Sequence, residues 1–152
     1  MRLPKLLLSL LVFICALPLS AQISYNDLVQ SILRQTSNRI QRELSSNDFV
    51  LVEESSYDER WEYLPREIRD DYIIVVVSME NGFLEQVTIS SFQHPIHEKL
   101  KFEIKANCEY VGAEKIEGIN AYSQNYRQEG GVIFRIWHET TDGRTYDVIR
   151  VF

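Results

Sequence analysis

Two histidines near the middle of the chain have a spacing that suggests a metal site. The segment is His94-x-x-His97-Glu98, and imidazole with carboxylate is a donor set that zinc accepts. Zinc sites on helices usually pair histidines four positions apart, whereas these are three apart with Pro95 between them. The remaining histidine is His138. We therefore predict a polar loop or helix start here, with no metal and no cofactor.

Nucleophilic catalysis has little support in the sequence. Cys108 lies in a stretch of alternating apolar residues, with no basic group arranged to lower the pKa of its thiol. No Gly-x-Ser-x-Gly elbow is present. The adjacent acidic residues fall at predicted strand ends or in loops, where charges usually remain solvated. They are Glu53-Glu54, Asp58-Glu59 and Asp70-Asp71. We predict that the protein is not an enzyme and has no catalytic residues.

Aromatic residues and one arginine on strand-like segments are the best candidates for a binding surface. Trp, Tyr and Arg dominate the energetics of protein interfaces, and flat aromatic faces also suit glycans. Because side chains alternate along a strand, the candidates fall in pairs on shared faces. The predicted binding residues are Trp61 with Tyr63, Tyr122 with Tyr126, and Arg135 with Trp137. The alternative is that some of them fill the core, since large aromatics are mostly buried.

The first 21 residues have the pattern of an export signal. Basic residues precede an apolar run from Leu6 to Leu17, and the small residues at Ser20-Ala21 suit signal peptidase. The apolar run is shorter than the about 20 residues that span a bilayer. We predict a signal peptide over 1–21, a mature domain over 22–152, and no membrane span once the leader is removed. The expected location is the periplasm or the exterior of the cell.

The composition of the mature chain narrows the classes of partner. Loss of Arg2 and Lys5 from the 16 basic residues leaves 14 against 22 acidic residues, a formal net charge of −8. Nucleic acid and anionic lipid bind cationic surfaces, so neither is expected as a partner. Cys15 leaves with the leader, so Cys108 is alone and no intramolecular disulfide can form.

The mature chain begins with a predicted amphipathic helix. Apolar residues recur at helical spacing between Ser24 and Leu44, and Ser24 with Asp27 forms a capping pair at the start. Strand-like segments follow at residues 49–53, 60–64, 72–79 and 83–92. Asn81-Gly82 between the last two is a strong hairpin signal, because both turn residues need positive φ.

The second half of the chain has the same order of patterns. A helix predicted over 95–106 precedes strand-like segments at 110–116, 119–126, 132–140 and 144–152. A shift of about 60 residues superimposes helix on helix and Asn81-Gly82 on Asp142-Gly143, as after a duplication. The predicted fold is α+β, with two tandem units at 24–92 and 94–152. Each unit has one helix and a four-stranded antiparallel meander, and the helices pack on one face of the sheet.

One pattern contradicts the second helix. Between Lys99 and Tyr110 apolar and polar residues alternate with a period of two, which favours a strand. The repeat, and Pro95 near the first turn, favour the helix. The alternative fold is therefore a single N-terminal helix on a longer β meander.

Together these features favour binding over catalysis. Helices on one sheet face leave the other face to water or to a partner. We predict an exported, non-catalytic protein whose open sheet face binds another extracytoplasmic protein, in the manner of an inhibitor or immunity factor. Tandem helix-plus-four-strand units resemble the architecture of secreted β-lactamase-inhibitor-type proteins, with no shared motif. The alternatives are a small-molecule or glycan binder, and a hydrolase in which His94, His97 or His138 meets a carboxylate.

Overall fold

The computed structural model describes residues 23–46, 49–55, 60–65 and 72–152. The predicted export signal over 1–21 lies outside these residues. Within the described ranges, no helix is long and apolar enough to cross a membrane.

The described residues form three helices and eight strands. The helices are α1 (Tyr25–Leu33), α2 (Asn38–Ser46) and α3 (Ile96–Asn107). The first four strands are β1 (Phe49–Ser55), β2 (Arg60–Pro65), β3 (Tyr72–Glu80) and β4 (Phe83–Phe92). The last four are β5 (Glu109–Lys115), β6 (Tyr122–Arg127), β7 (Ile133–Thr141) and β8 (Arg144–Val151). The predicted α+β class is confirmed.

All eight strands belong to one antiparallel sheet, in the order β1-β2-β3-β4-β8-β7-β6-β5. The strands before α3 pair in sequence order, and so do the strands after it. The two sets join through β4 and β8, where Val87 pairs with Val151 and Ile89 with Ile149. The last strand of the chain therefore lies at the centre of the sheet, and β1 and β5 lie at its edges.

Two hairpins have the turn geometry that the sequence predicts. Asn81 and Gly82 have φ values of 52° and 79°, and Asp142 and Gly143 have values of 52° and 74°. Positive φ at both positions matches the right-handed twist of the flanking strands. These turns set the β3–β4 and β7–β8 registers.

The helix predicted between residues 24 and 44 is two helices instead of one. α1 begins with a capping box, in which the Ser24 hydroxyl accepts from the Asp27 N–H at 3.2 Å. Gln35, just after α1, has a φ of 51°, which ends the regular helix. The Gln35 carbonyl then accepts a hydrogen bond from the Leu84 N–H at 3.1 Å. The break thus joins the helices to the start of β4, a tertiary contact that helical periodicity does not reveal.

The segment with two competing periodicities is a helix. α3 buries Ile96, Leu100 and Ile104, which follow a spacing of four. Phe102 lies off this stripe and is 75% exposed. The helix predicted over 95–106 is confirmed, and the period-two pattern there has no structural counterpart.

The helices cover one face of the sheet and form the core with it. Its fully buried side chains include Leu28, Ile40 and Leu44 from α1 and α2, and Leu100 and Ile104 from α3. The sheet contributes Val75, Val77, Val87, Ile89, Phe134, Ile149 and Val151. The Tyr25 ring stacks on Phe134 with 5.4 Å between centroids. Neither layer could bury its apolar side alone, so each stabilises the other.

Candidate functional site

The predicted binding residues divide between the two faces of the sheet. Tyr63 and Tyr126 are buried in the helix-covered core, and Trp61 packs against it. Tyr122 alternates to the same face, at the start of β6, and is 66% exposed. These four side chains therefore do not share a surface with Arg135 and Trp137, which lie on the opposite face. Binding by any of them remains a prediction.

The opposite face, here called the helix-free face, has no helix packed on it among the described residues. Trp137 and Val148 point to it, because they alternate with the core residues Ile136 and Ile149. Both are nevertheless buried, and neither belongs to the main core cluster. The Arg150 side chain of the neighbouring strand lies over the Trp137 ring.

Two arginine side chains stack on aromatic rings of this face. The Arg150 guanidinium carbon lies 5.1 Å from the centre of the Trp137 ring. The Arg135 guanidinium carbon lies 5.0 Å from the centre of the Phe152 ring. Both distances are within the range of cation–π attraction. The rings therefore hold two cationic groups in fixed positions on the helix-free face.

The two arginines differ in their polar partners. Arg135 Nη2 lies 2.8 Å from Glu114 Oε2, and Arg150 Nε donates to Thr88 Oγ1 at 3.2 Å. No carboxylate among the described residues forms an ion pair with Arg150. Burial, and next the adjacent charge of Arg135, lower the pKa of the Arg150 guanidinium, which Glu139 partly opposes. An arginine remains protonated even so.

An open cleft lies beside this arginine pair. Residues 114–120, at the end of the β5–β6 hairpin, line it together with Arg135 and Arg150. Its volume is about 830 Å3. The Ile116 N–H donates to the Ala121 carbonyl at 2.9 Å, which closes the hairpin. This cleft is polar and open to solvent, unlike the closed apolar cavity expected of a small-molecule binder.

A second aromatic cluster lies further along the same face. The rings of Tyr72, Phe92 and Tyr146 are 5.7 to 6.1 Å apart. The Tyr72 and Tyr146 hydroxyls are hydrogen-bonded at 2.5 Å, and the Arg144 guanidinium carbon lies 5.5 Å from the Phe92 ring. Sequence reasoning missed this cluster, because its members come from three strands. The alternation of Arg144 and Tyr146 was the one local signal for it.

On the helix-covered face, two histidines and an aspartate meet at the start of α3. His138 Nδ1 lies 2.5 Å from Asp147 Oδ1, and the His97 and His138 rings are 6.1 Å apart. His97 is fully buried, and neither of its ring nitrogens has a hydrogen-bond partner among the described residues, although Nε2 lies 4.0 Å from Glu98 Oε1. Burial lowers the pKa of His97, and the charge of Asp147 partly opposes this. His94 has a different role, since its Nδ1 accepts from the Ile96 N–H.

The chemistry available to this histidine cluster is limited. No serine, threonine or cysteine side chain in the described ranges is hydrogen-bonded to His97 or His138. Nor does that part of the chain hold three or more His, Cys, Asp or Glu side chains arranged to bind a metal ion. Cys108 is a free thiol whose Sγ lies 3.4 Å from the Tyr25 hydroxyl.

Comparison with known proteins assigns no family to this chain. No family model matches it, and neither the curated proteins nor the solved structures contain a significant match. Its function must therefore be argued from the geometry of its own surfaces.

Proposed function

We propose that this protein is exported and binds another extracytoplasmic protein on its helix-free face. The observation that carries the proposal is a surface here called the aromatic–arginine strip. Its members are Tyr72, Phe92, Arg135, Trp137, Arg144, Tyr146, Arg150 and Phe152. Aromatic and arginine side chains are the types that contribute most to the affinity of protein interfaces.

Contacts within the strip connect its side chains in the free chain. The Tyr72–Tyr146 hydrogen bond and the stacking of Arg150 on Trp137 hold these side chains in place. Ordering an arginine or tyrosine during association costs about 0.5–1.5 kcal/mol per side chain. A surface that is ordered in advance avoids much of this cost, which supports binding of a partner.

The charge of the strip indicates the kind of partner. Arg135, Arg144 and Arg150 give it a local positive charge in a chain whose net charge is −6. A cationic patch attracts a partner that presents carboxylates and repels the same patch on another copy of the chain. We therefore propose a protein with an acidic surface patch as the partner.

The experiment is affinity capture with residues 22–152, followed by binding measurements with the captured protein. Tyr146→Ala and Arg144→Ala are expected to weaken binding by at least about tenfold, since side chains central to an interface usually contribute more than 1 kcal/mol. Phe102→Ala is the matched control, because Phe102 is an exposed aromatic on α3. Failure to capture any partner, or equal affinity of all variants, would overturn the proposal.

Export is tested separately. Intact-mass measurement of the protein secreted by a host cell is expected to give a chain that begins at Gln22. A chain that retains residues 1–21 would contradict the export signal.

We further propose that the chain arose by duplication of one helix-plus-four-strand unit. Support comes from the order of elements, in which helix and four strands occur twice, and from the pairing of the two meanders through β4 and β8. The additional N-terminal helix, α1 or α2, would then be specific to the first unit.

The second candidate function is a hydrolase, and the contact between His138 and Asp147 is what favours it. An aspartate can orient a histidine for general-base catalysis. Ester, peptide and glycoside substrates would be tested with the protein and with His138→Ala. Hydrolysis by the protein that is lost in His138→Ala would establish the hydrolase. If the protein and His138→Ala both gave only the background rate, this candidate function would be wrong.

A further inference from the structure

We infer that Arg135 and Arg150 form a carboxylate-binding subsite, which receives an Asp or Glu side chain of the docked protein. This inference rests on the proposed function and deepens it, because it names the group that the partner contributes and the place where that group binds.

The first support is the pairing of like charges. Arg135 and Arg150 lie directly opposite each other on β7 and β8, where like charges are unfavourable. Glu114 is the one carboxylate among the described residues that forms an ion pair with either of them. The pair therefore retains an excess positive charge, which an added anion would neutralise.

The second support is the state of the donor groups. Arg150 is half-buried and held by the Trp137 ring and by Thr88, and these contacts use its π face and its Nε. Its two terminal nitrogens have no partner among the described residues. Arg135 Nε is also buried without an acceptor in that part of the chain. The Arg150 terminal nitrogens are not among the buried unpaired atoms and face the open cleft, so a carboxylate can reach them.

The third support is a carboxylate already present beside the pair. Glu114 reaches Arg135 Nη2 at 2.8 Å from the neighbouring hairpin, so carboxylate recognition by this surface has an example within the chain. A guanidinium matches a carboxylate through two parallel hydrogen bonds. A second carboxylate, entering through the open cleft, would bind Arg150 in the same manner.

The charges around the cleft decide between a carboxylate and a phosphate. Its lining has three basic side chains, Lys115, Arg135 and Arg150, and two acidic ones, Glu114 and Glu117, a formal net charge of 3 − 2 = +1. A singly charged carboxylate neutralises this charge, whereas a dianionic phosphate would leave an excess negative charge on an acidic protein. The subsite therefore favours a carboxylate, and nucleic acid or lipid phosphate is disfavoured.

The first experiment needs no partner. Acetate and inorganic phosphate are titrated into the isotope-labelled protein while the NMR signals of the Arg135 and Arg150 Nε–H groups are followed. Saturable shifts are expected with acetate and weaker ones with phosphate, and Arg150→Gln should abolish them. Arg42→Gln, which alters an exposed arginine of α2, is the control. Absence of a saturable acetate shift, or stronger binding of phosphate, would overturn the carboxylate subsite.

The second experiment uses the captured partner. Arg150→Gln is expected to weaken its binding by at least about tenfold, because it removes one member of a desolvated charge pair. Arg150→Lys keeps the charge but loses the two-pronged geometry, so its effect should be intermediate. Thermal melting of each variant shows whether it remains folded.

The two proposals fail in distinguishable ways. If Tyr146→Ala weakens partner binding and Arg150→Gln does not, the subsite is wrong and docking on the helix-free face stands. If acetate binds in the first experiment but no partner is captured, the docking function is wrong, and with it the assignment of the subsite to a partner's side chain.

Discussion

The His97 ring lies 6.1 Å from the His138 ring, and His138 in turn hydrogen-bonds to Asp147. His97 belongs to α3, and the pairing of β7 with β8 places His138 opposite Asp147. His97 is buried and without a hydrogen-bond partner in the described part of the chain. A buried imidazole of this kind resists protonation.

Stability should therefore decrease on acidification. Burial lowers the pKa of His97 below its ordinary 6.5, while the charges that act on it are Asp147, Lys101, Glu98 and His138. The unfolded chain then binds a proton more readily, so the His97 contribution to stability is complete above about pH 6.5 and is lost as pH falls below it. The slope from this group is at most about 1.4 kcal/mol per pH unit.

Denaturant unfolding at a series of pH values tests this expectation. His97→Leu should reduce the slope between neutral pH and about pH 5.5, because it removes the titrating group. Ile104→Val, which alters a fully buried residue of the same helix without a titrating group, should retain it. An unchanged slope in His97→Leu would contradict the assignment to His97.

Truncation of the buried stripe of α3 should be costly. Leu100→Ala and Ile104→Ala each remove a fully buried side chain, and we expect a loss of about 2–5 kcal/mol in the free energy of unfolding. Phe102→Ala, on the same helix but 75% exposed, should change it by about 0.5 kcal/mol or less. Chemical unfolding measures all three. Equal losses would contradict the helical register of α3.

The start of α1 depends on one hydroxyl. Ser24→Ala removes the acceptor for the Asp27 N–H and should cost about 1 kcal/mol of stability. Ser45→Ala, at an exposed position in the last turn of α2, is the control. The melting temperature of Ser24→Ala should be clearly lower than that of Ser45→Ala. Coincident melts would show that the capping box contributes little.

The thiol of Cys108 should react slowly in the folded protein. Burial raises the pKa of this thiol, and the hydrogen bond with Tyr25 partly opposes this effect. Because the thiolate is the reactive form, alkylation by iodoacetamide near pH 8 should be several-fold slower than in the denatured chain. Mass spectrometry locates the label at Cys108. Equal native and denatured rates would contradict this prediction.

Local patterns were sufficient for the turns and for most helical segments. Asn81-Gly82 and Asp142-Gly143 gave the hairpins, because few residue pairs adopt positive φ at both turn positions. The start of α1 at Ser24 followed from its capping pair. The break after α1 could not be predicted from local patterns, because Gln35 accepts a hydrogen bond from Leu84, which is 49 positions away.

The segment at 95–106 shows why periodicity alone was ambiguous. Its alternation favours a strand, and its spacing of four favours a helix. Burial of Leu100 and Ile104 against the sheet favours the helix and leaves Phe102 in solvent. The apolar phenylalanine that supported the strand interpretation makes no contribution to the core.

The candidate site was only partly predictable. Arg135 and Trp137 share a strand face, which alternation alone gives. Thr88, which accepts from Arg150, and Tyr72, which contacts Tyr146, come from strands that are distant in sequence. Alternation likewise could not show that Trp61 and Tyr63 face the helices, because a period of two does not say which face of a sheet is covered.

The amino-acid sequence by itself determined the α+β class, the capped start of the first helix and the two glycine hairpins. Each of these depends on residues that are neighbours along the chain. Tertiary structure alone decided the order of the strands, the face that the helices cover and the pairing of β4 with β8, which places Thr88 opposite Arg150. These depend on which apolar surfaces can be buried together and on the strand register that this burial requires, and both are properties of the whole fold.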